Sequence, residues 1–296
     1  MSQFTSYIDY LTLEKNYSPH TVLAYQRDLE SFAVYCASEN DILYIKECKY
    51  VQIRNWIVFL LDSGVANKTI NRKMASLKSY YKFLLKTEQI KVSPLLKHKA
   101  LKVAKKIQVP FSEKEMNVVL TQMEFEPTFK GRRDQLMIEL FYATGIRRAE
   151  LIGLQLQDVN LQQKTIKVLG KRNKERIIPV TDNLMVCLKA YLTFREKVGA
   201  HVKNVFITQK GVKIYNSLVY RVINSYFSRA SSKHKKSPHV LRHTFATHLL
   251  NEGADLNAVK ELLGHTSLTA TQVYTHNSIA KLKKAYQNSH PRNRKN

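Results

Sequence analysis

KTIKVLGKRNKERIIPV, residues 164–180, is the stretch on which the fold class turns. Two runs rich in β-branched residues, KTIKVLG at 164–170 and RIIPV at 176–180, flank the polar segment GKRNKE. Strand-like runs around turn-forming residues predict a hairpin. A further short strand is expected at 157–160. Working outward, the helical patterns resume. Residues 134–144 form an apolar helix that Gly145 ends, 148–154 form a short helix, and everything after about 182 reads as helix again. The fold class is therefore mainly α with a small antiparallel β-sheet.

The first hundred residues carry helical signals throughout. Ser18 precedes Pro19 as an N-cap followed by proline at the first helical position. Val22, Tyr25, Leu29, Phe32 and Ala33 then recur at three- and four-residue steps. Trp56, Phe59 and Leu60 mark a second helix that Gly64 closes. A third follows Asn67, with Ile70, Met74, Leu77, Tyr80, Tyr81 and Leu84 on its apolar face. KHKALKVAKK at 97–106 is highly basic and short of large apolar residues, and Ser112 with Glu115 forms a capping box that opens a new helix. The expected division is a helical domain at 1–97, a basic linker at 98–110 and a mixed domain at 111–296.

The chain has 48 Lys plus Arg against 23 Asp plus Glu, a formal net charge of +25. A positive field of that size selects a polyanion as partner. No apolar run reaches the length of a membrane span, and the N-terminus lacks a secretion signal, so nucleic acid, DNA or RNA, is favoured over a membrane surface. The expected compartment is the cytoplasm. Cys36, Cys48 and Cys187 show no C-x-x-C spacing, which speaks against a zinc ribbon or disulfide framework.

Four segments concentrate reactive side chains. TGIRRAEL at 144–151 places Arg147 three residues before Glu150, close enough on one helix face for the carboxylate to orient the guanidinium. GKRNKER at 170–176 puts Lys171 and Arg172 at the hairpin tip. SPHVLRHTFATHLL at 237–250 sets His239 and Arg242 on one side of a helix start, where free N–H groups favour an anion. LGHTSLTATQVYTH at 263–276 carries His265 and Tyr274. Each has a bland reading in isolation: a surface ion pair, a solvated turn, a helix-end histidine, a packed tyrosine. His239 and His243 have zincin spacing, but Val240 stands where the glutamate belongs, and no ligand cluster completes a metal site. No metal and no other cofactor is expected.

Taken together, these residues suit one reaction. Two arginines can bind the non-bridging oxygens of a phosphodiester, whose charge grows in the pentavalent transition state. A tyrosine of ordinary pKa about 10 needs a cationic pocket and a neutral histidine to become a nucleophile. Lys171 can protonate the leaving sugar oxygen. The product is a phosphotyrosyl bond that stores the energy for rejoining.

In that order and with those flanking residues, TGIRRAEL, VLGKRNKERIIPV, SPHVLRHTFATHLL and LLGHTSLTATQVYTH resemble the tyrosine recombinase (phage integrase) family, most closely its Xer-type members. YSPHTVLAYQRDLESF resembles the family's core-binding domain, so the likeness spans essentially the whole chain. The resemblance implies catalytic roles for Arg147, Lys171, His239, Arg242 and His265, with Tyr274 as nucleophile and Glu150 supporting the first arginine. It implies a helical domain and a mixed catalytic domain closing on DNA as a clamp, and a tetramer on two DNA sites, homomeric or with a second recombinase. Residues 278–288 would then pack on a neighbouring subunit, and a DNA translocase is a further expected partner. Arg172 departs from the glycine common after the hairpin lysine, and it adds a charge near the double-stranded DNA as a candidate DNA contact. On the third N-terminal helix, Asn71, Arg72, Lys73 and Lys78 are candidates for DNA contact. The competing readings are an integrase of a mobile element, a type IB topoisomerase and a non-catalytic architectural protein. The lack of a long extra N-terminal arm-binding domain favours the Xer type.

Overall fold

The computed structural model describes residues 3–104, 108–170 and 175–264. The chain divides into two compact units, 1–106 and 107–296. The first is helical: α1 (Thr5–Asp9, prolonged by a π-turn at Tyr10–Glu14), α2 (Pro19–Asn40), α3 (Tyr50–Asp62) and α4 (Asn67–Lys86). Ser18 caps α2, its Oγ accepting the Thr21 N–H at 3.3 Å, with Pro19 opening the helix. The anticipated apolar face of α4 is buried from Ile70 to Leu84. Trp56 and Leu60 are buried on α3, whereas Phe59 is 50% exposed.

One charged side chain sits deep in this unit. Asp28 on α2 is 2% exposed and takes both guanidinium arms of Arg72, with Lys73 at 3.4 Å and the Ser76 hydroxyl at 2.7 Å. Two of the residues expected to face DNA are thus tied to a buried carboxylate. Asn71 is engaged as well: its amide donates to Leu101 O at 2.8 Å and accepts from Leu101 N at 2.9 Å. With Asn67 donating to Lys102 O at 2.9 Å, these bonds dock the start of the 98–110 stretch onto α4. Lys78 is exposed.

The second unit opens with α5 (Glu113–Asn117), which has the anticipated capping box: Ser112 Oγ accepts from Glu115 N at 3.2 Å and Glu115 accepts from Ser112 N at 2.7 Å. Then come α6 (Phe129–Thr144), α7 (Arg148–Gly153), three strands β1 (Val159–Asn160), β2 (Thr165–Leu169) and β3 (Glu175–Pro179), and α8 (Asp182–Lys197), α9 (Asn216–Ala230), α10 (Pro238–Asn251) and α11 (Leu256–Leu263). The sheet is antiparallel in the order β1-β2-β3, with Ile166 opposite Ile178 and Val168 opposite Arg176. Helix α6 is buried at almost every position from Arg133 onward and packs against α8 and α10. An all-round buried helix is a core helix.

Two local expectations change. The strand at 157–160 shrinks to Val159–Asn160, because Leu156–Asp158 forms a 3-10 turn. Residues 198–215, expected to be helical, are irregular, with bridges pairing Gln155 to Asn204 and Ile207 to Lys213. Gly199 and Gly211 take positive φ there, which breaks a helix. Val205, Phe206 and Ile207 are buried all the same, and Arg195 holds the segment by donating to the carbonyls of Val202, Asn204 and Val205.

Gly145 forms the joint between α6 and the turn into α7. It ends α6 in the left-handed region at φ 58°, and a Cβ there would lie 2.4 Å from Phe245 Cδ1 and 2.8 Å from Leu263 Cδ2. Gly145→Ala is expected to cost about 2–4 kcal/mol, combining left-handed strain with overpacking. A lowered midpoint in urea unfolding checks this; an unchanged midpoint would contradict the tight joint.

Candidate active site

The turn after Gly145 delivers Arg147 to the N-cap position of α7 in an extended conformation. Glu150, one turn on, closes back over it. Its Oε2 accepts the Arg147 backbone N–H at 2.8 Å and its Oε1 accepts Nη1 of Arg147 at 2.7 Å. Local sequence spacing thus makes the pair, as three-residue separation on a helix start allows.

A third residue locks the carboxylate. Arg176 reaches in from β3 and donates through both Nη1 and Nη2 to the two oxygens of Glu150, each at 2.8 Å. The side chains of Arg176 and Glu150 are 5% and 4% exposed. Burial works to raise the Glu150 pKa, but the bonds and charge of Arg176, then the bonds from Arg147, outweigh it and hold the carboxylate at about 2. It stays ionised at any working pH.

The same arginines gather the end of α11. Its last carbonyls lack helical partners and carry partial negative charge. Arg176 Nε donates to Leu262 O at 2.8 Å, Arg242 Nη2 to Leu263 O at 2.6 Å and Arg147 Nη2 to Gly264 O at 2.9 Å. Three successive carbonyls are each held by a different arginine. Arg242, from α10, uses its Nη1 on Gly145 O at 2.6 Å. Gly264 is left-handed at φ 62°, and a Cβ there would press on Arg176 at 3.2 Å.

Among the described residues, two of the three guanidiniums bond the one carboxylate and Arg242 does not, so the pocket keeps a surplus of positive charge. The effect is visible on Arg242, whose pKa falls to about 10 through burial and then through repulsion by Arg147 and Arg176. It remains a cation at neutral pH. An anion entering the pocket relieves that repulsion. Arg147 and Arg242 each spend two of the five guanidinium N–H donors on described residues, which leaves donors for an oxyanion.

His239 stands in the first turn of α10, one helical turn before Arg242 and on the exposed side. Its pKa is lowered by partial burial, then by Arg148, Lys235 and Arg242, so the imidazole is neutral at physiological pH and can accept a proton. The three histidines of α10 point to different jobs. His243 is exposed, while His248 is buried between the Tyr142 hydroxyl at 3.0 Å and Phe111 O at 2.9 Å.

The structure therefore assembles Arg147, Glu150, Arg242 and His239 in one region of the second unit. Lys171, Arg172, His265 and Tyr274 lie outside the described residues. In sequence, residues 171–174 come directly before β3, which bears Arg176, and His265 follows Gly264. Arg176 escaped the sequence reading. Its signal was a charged residue in register with Ile178 on the buried face of a strand.

Comparison with known proteins agrees with this picture. The phage integrase family model matches residues 111–281, and the SAM-like N-terminal domain of phage integrases matches 4–88. A tyrosine recombinase XerC of Oceanobacillus iheyensis is 37% identical over 99% of this chain and 98% of its own. One from Chlorobaculum parvum is 36% identical over 96% of this chain and 93% of its own. Among solved structures, the XerH site-specific recombinase bound to a palindromic difH substrate superposes with a TM-score of 0.71 at 23% identity, covering 92% of this chain and 81% of that one. The Tn1549 transposon integrase with transposon right-end DNA gives 0.71 at 20% identity, covering 94% and 97%. These two share the fold. With both units matched and relatives alike along nearly their whole length, the chain belongs to the tyrosine recombinase (phage integrase) family.

Proposed function

We infer that this protein is a site-specific DNA recombinase that cuts and rejoins double-stranded DNA through a 3′-phosphotyrosyl intermediate. The observation that carries the reading is the arginine-lined pocket at the C-terminal end of α11, with a surplus of positive charge and open guanidinium donors. It lies directly before the segment that bears His265 and Tyr274. The anion is the scissile phosphate, and Arg147 and Arg242 bind its non-bridging oxygens as charge develops on them.

The Tyr274 oxygen attacks phosphorus and the bond to the 5′ sugar oxygen breaks. The phenol proton passes to a neutral histidine, His239 or His265, and Lys171 protonates the departing 5′ oxygen. Attack by a 5′ hydroxyl of the partner strand then expels the tyrosine and reseals the backbone. Arginines and a lysine supply the charge stabilisation, and no cofactor takes part in these steps.

The biological role we propose is resolution of chromosome dimers in the cytoplasm, at the nucleoid. It rests on relatives named XerC that match this chain at 35–38% identity over nearly its full length. Two sites would be held by a tetramer, alone or with a second recombinase and a translocase. Strands would be exchanged in pairs through a Holliday junction.

The test is a supercoiled plasmid with two directly repeated copies of the host's candidate site, supplied with host extract so that partner proteins are present. The expected product is a pair of smaller circles. Relaxation without deletion would point to a topoisomerase, and salt-sensitive binding without either to an architectural protein.

A further inference from the structure

We propose that Arg176 is a positioning residue for strand cleavage: it fixes Glu150, and through it Arg147, in one frame with the chain that leaves α11 toward Tyr274. The inference rests on the recombinase reading above and deepens it.

Three observations carry it. First, the geometry is bidentate on the carboxylate and adds a third bond from Nε to Leu262 O, so one side chain ties α7, β3 and α11 together. Second, stability alone does not explain an ion pair there. Arg176 sits on the inward face of β3, in register with Ile178 and opposite Val168, where an apolar side chain would fill the site. Buried ion pairs are often replaceable by apolar groups without loss of stability. What such a residue could not do is grip both Glu150 oxygens. Third, the carboxylate needs the contact. Without Arg176, each Glu150 oxygen would keep a single bond, one from a guanidinium arm of Arg147 and one from its backbone N–H. Burial would then favour its protonation, with only Arg147 and the more distant Arg242 left to oppose that. A misplacement of about 1 Å at a phosphate-binding arginine is enough to slow a reaction on the order of 100-fold.

The experiment uses the full-length protein and a nicked duplex carrying the candidate site, at saturating DNA. It follows covalent adduct over time for wild type, Arg176→Gln and Arg176→Lys. For Arg176→Gln the rate constant is expected to fall about 10–100-fold, as is typical when the partner of a site residue is lost. The final adduct yield and the half-saturating DNA concentration should hold. Arg176→Lys, which keeps the charge without the fork, should lose less. Combining Arg176→Gln with Glu150→Gln should slow cleavage no further than Glu150→Gln alone, the mark of one residue acting through the other.

A wild-type rate constant in Arg176→Gln overturns the inference. So does a lowered yield and melting temperature with an unchanged rate constant, because that is a structural role. If Arg176→Gln does not fold, a wild-type rate constant in Arg176→Lys overturns it. Should wild type itself form no adduct on DNA that it binds, the recombinase reading falls and this inference with it. That failure is distinct from a normal wild type beside an unaffected variant.

Discussion

Tyr274→Phe should bind site DNA as tightly as wild type and form no covalent product, a loss on the order of 10⁴-fold or more in cleavage. The substitution removes one oxygen and keeps the ring. If that oxygen is the nucleophile, chemistry stops while binding, which comes from the arginines and the basic surface, continues. Buried tyrosines of the described residues are poor substitutes. Burial pushes Tyr80 and Tyr191 up to about 12, and the Tyr191 hydroxyl is committed to Val205 O at 3.1 Å. Tyr142 is buried against His248. A gel-shift titration beside a denaturing gel separates the two effects. An adduct of normal yield in the variant would move the nucleophile elsewhere.

Arg242→Lys has the second-largest expected effect, about 10²–10³-fold on the cleavage rate, the loss typical of one oxyanion donor. The guanidinium bridges Gly145 O and Leu263 O, both at 2.6 Å, which joins the ends of α6 and α11. That bridge aims its remaining donors. Lysine brings one compact charge and cannot span both carbonyls while also contacting phosphate. Affinity for DNA should change far less than the rate, since many basic residues share the binding. Single-turnover kinetics at saturating DNA would show this. A drop confined to affinity would mean that Arg242 only anchors DNA.

Gly145 and Gly264 connect these effects to the fold. Each ends a helix in the left-handed region; a Cβ at Gly145 would collide with Phe245 and Leu263, and one at Gly264 would press on Arg176. The two helix ends they create supply the carbonyls that Arg147 and Arg242 hold. Helix termination and site assembly are therefore one event in this unit.

Legibility in the sequence tracks how local each signal is. The Ser18-Pro19 start, the Ser112–Glu115 box, the apolar face of α4 and the 164–180 hairpin all depend on neighbours within a few residues. Arg147 with Glu150 was legible for the same reason. Interactions across long separations were not. Arg176 meets Glu150 across 26 residues, and Asp28 meets Arg72 across 44. No pattern in either segment names its partner, so neither ion pair was legible from the sequence. The irregular 198–215 stretch was missed because its order comes from Arg195 and Tyr191 on α8 rather than from periodicity. Lys171, His265 and Tyr274 rest on their motifs.

The mechanism proposed above requires a covalent bond between Tyr274 and a DNA 3′ phosphate. The most direct measurement is to react the protein with a nicked duplex bearing the candidate site in the presence of EDTA, digest the trapped complex and identify the DNA-linked peptide by mass spectrometry. The expected result is a single adducted peptide with the phosphate on Tyr274, formed without added metal. A bond to another residue, or an adduct that EDTA abolishes, would contradict it.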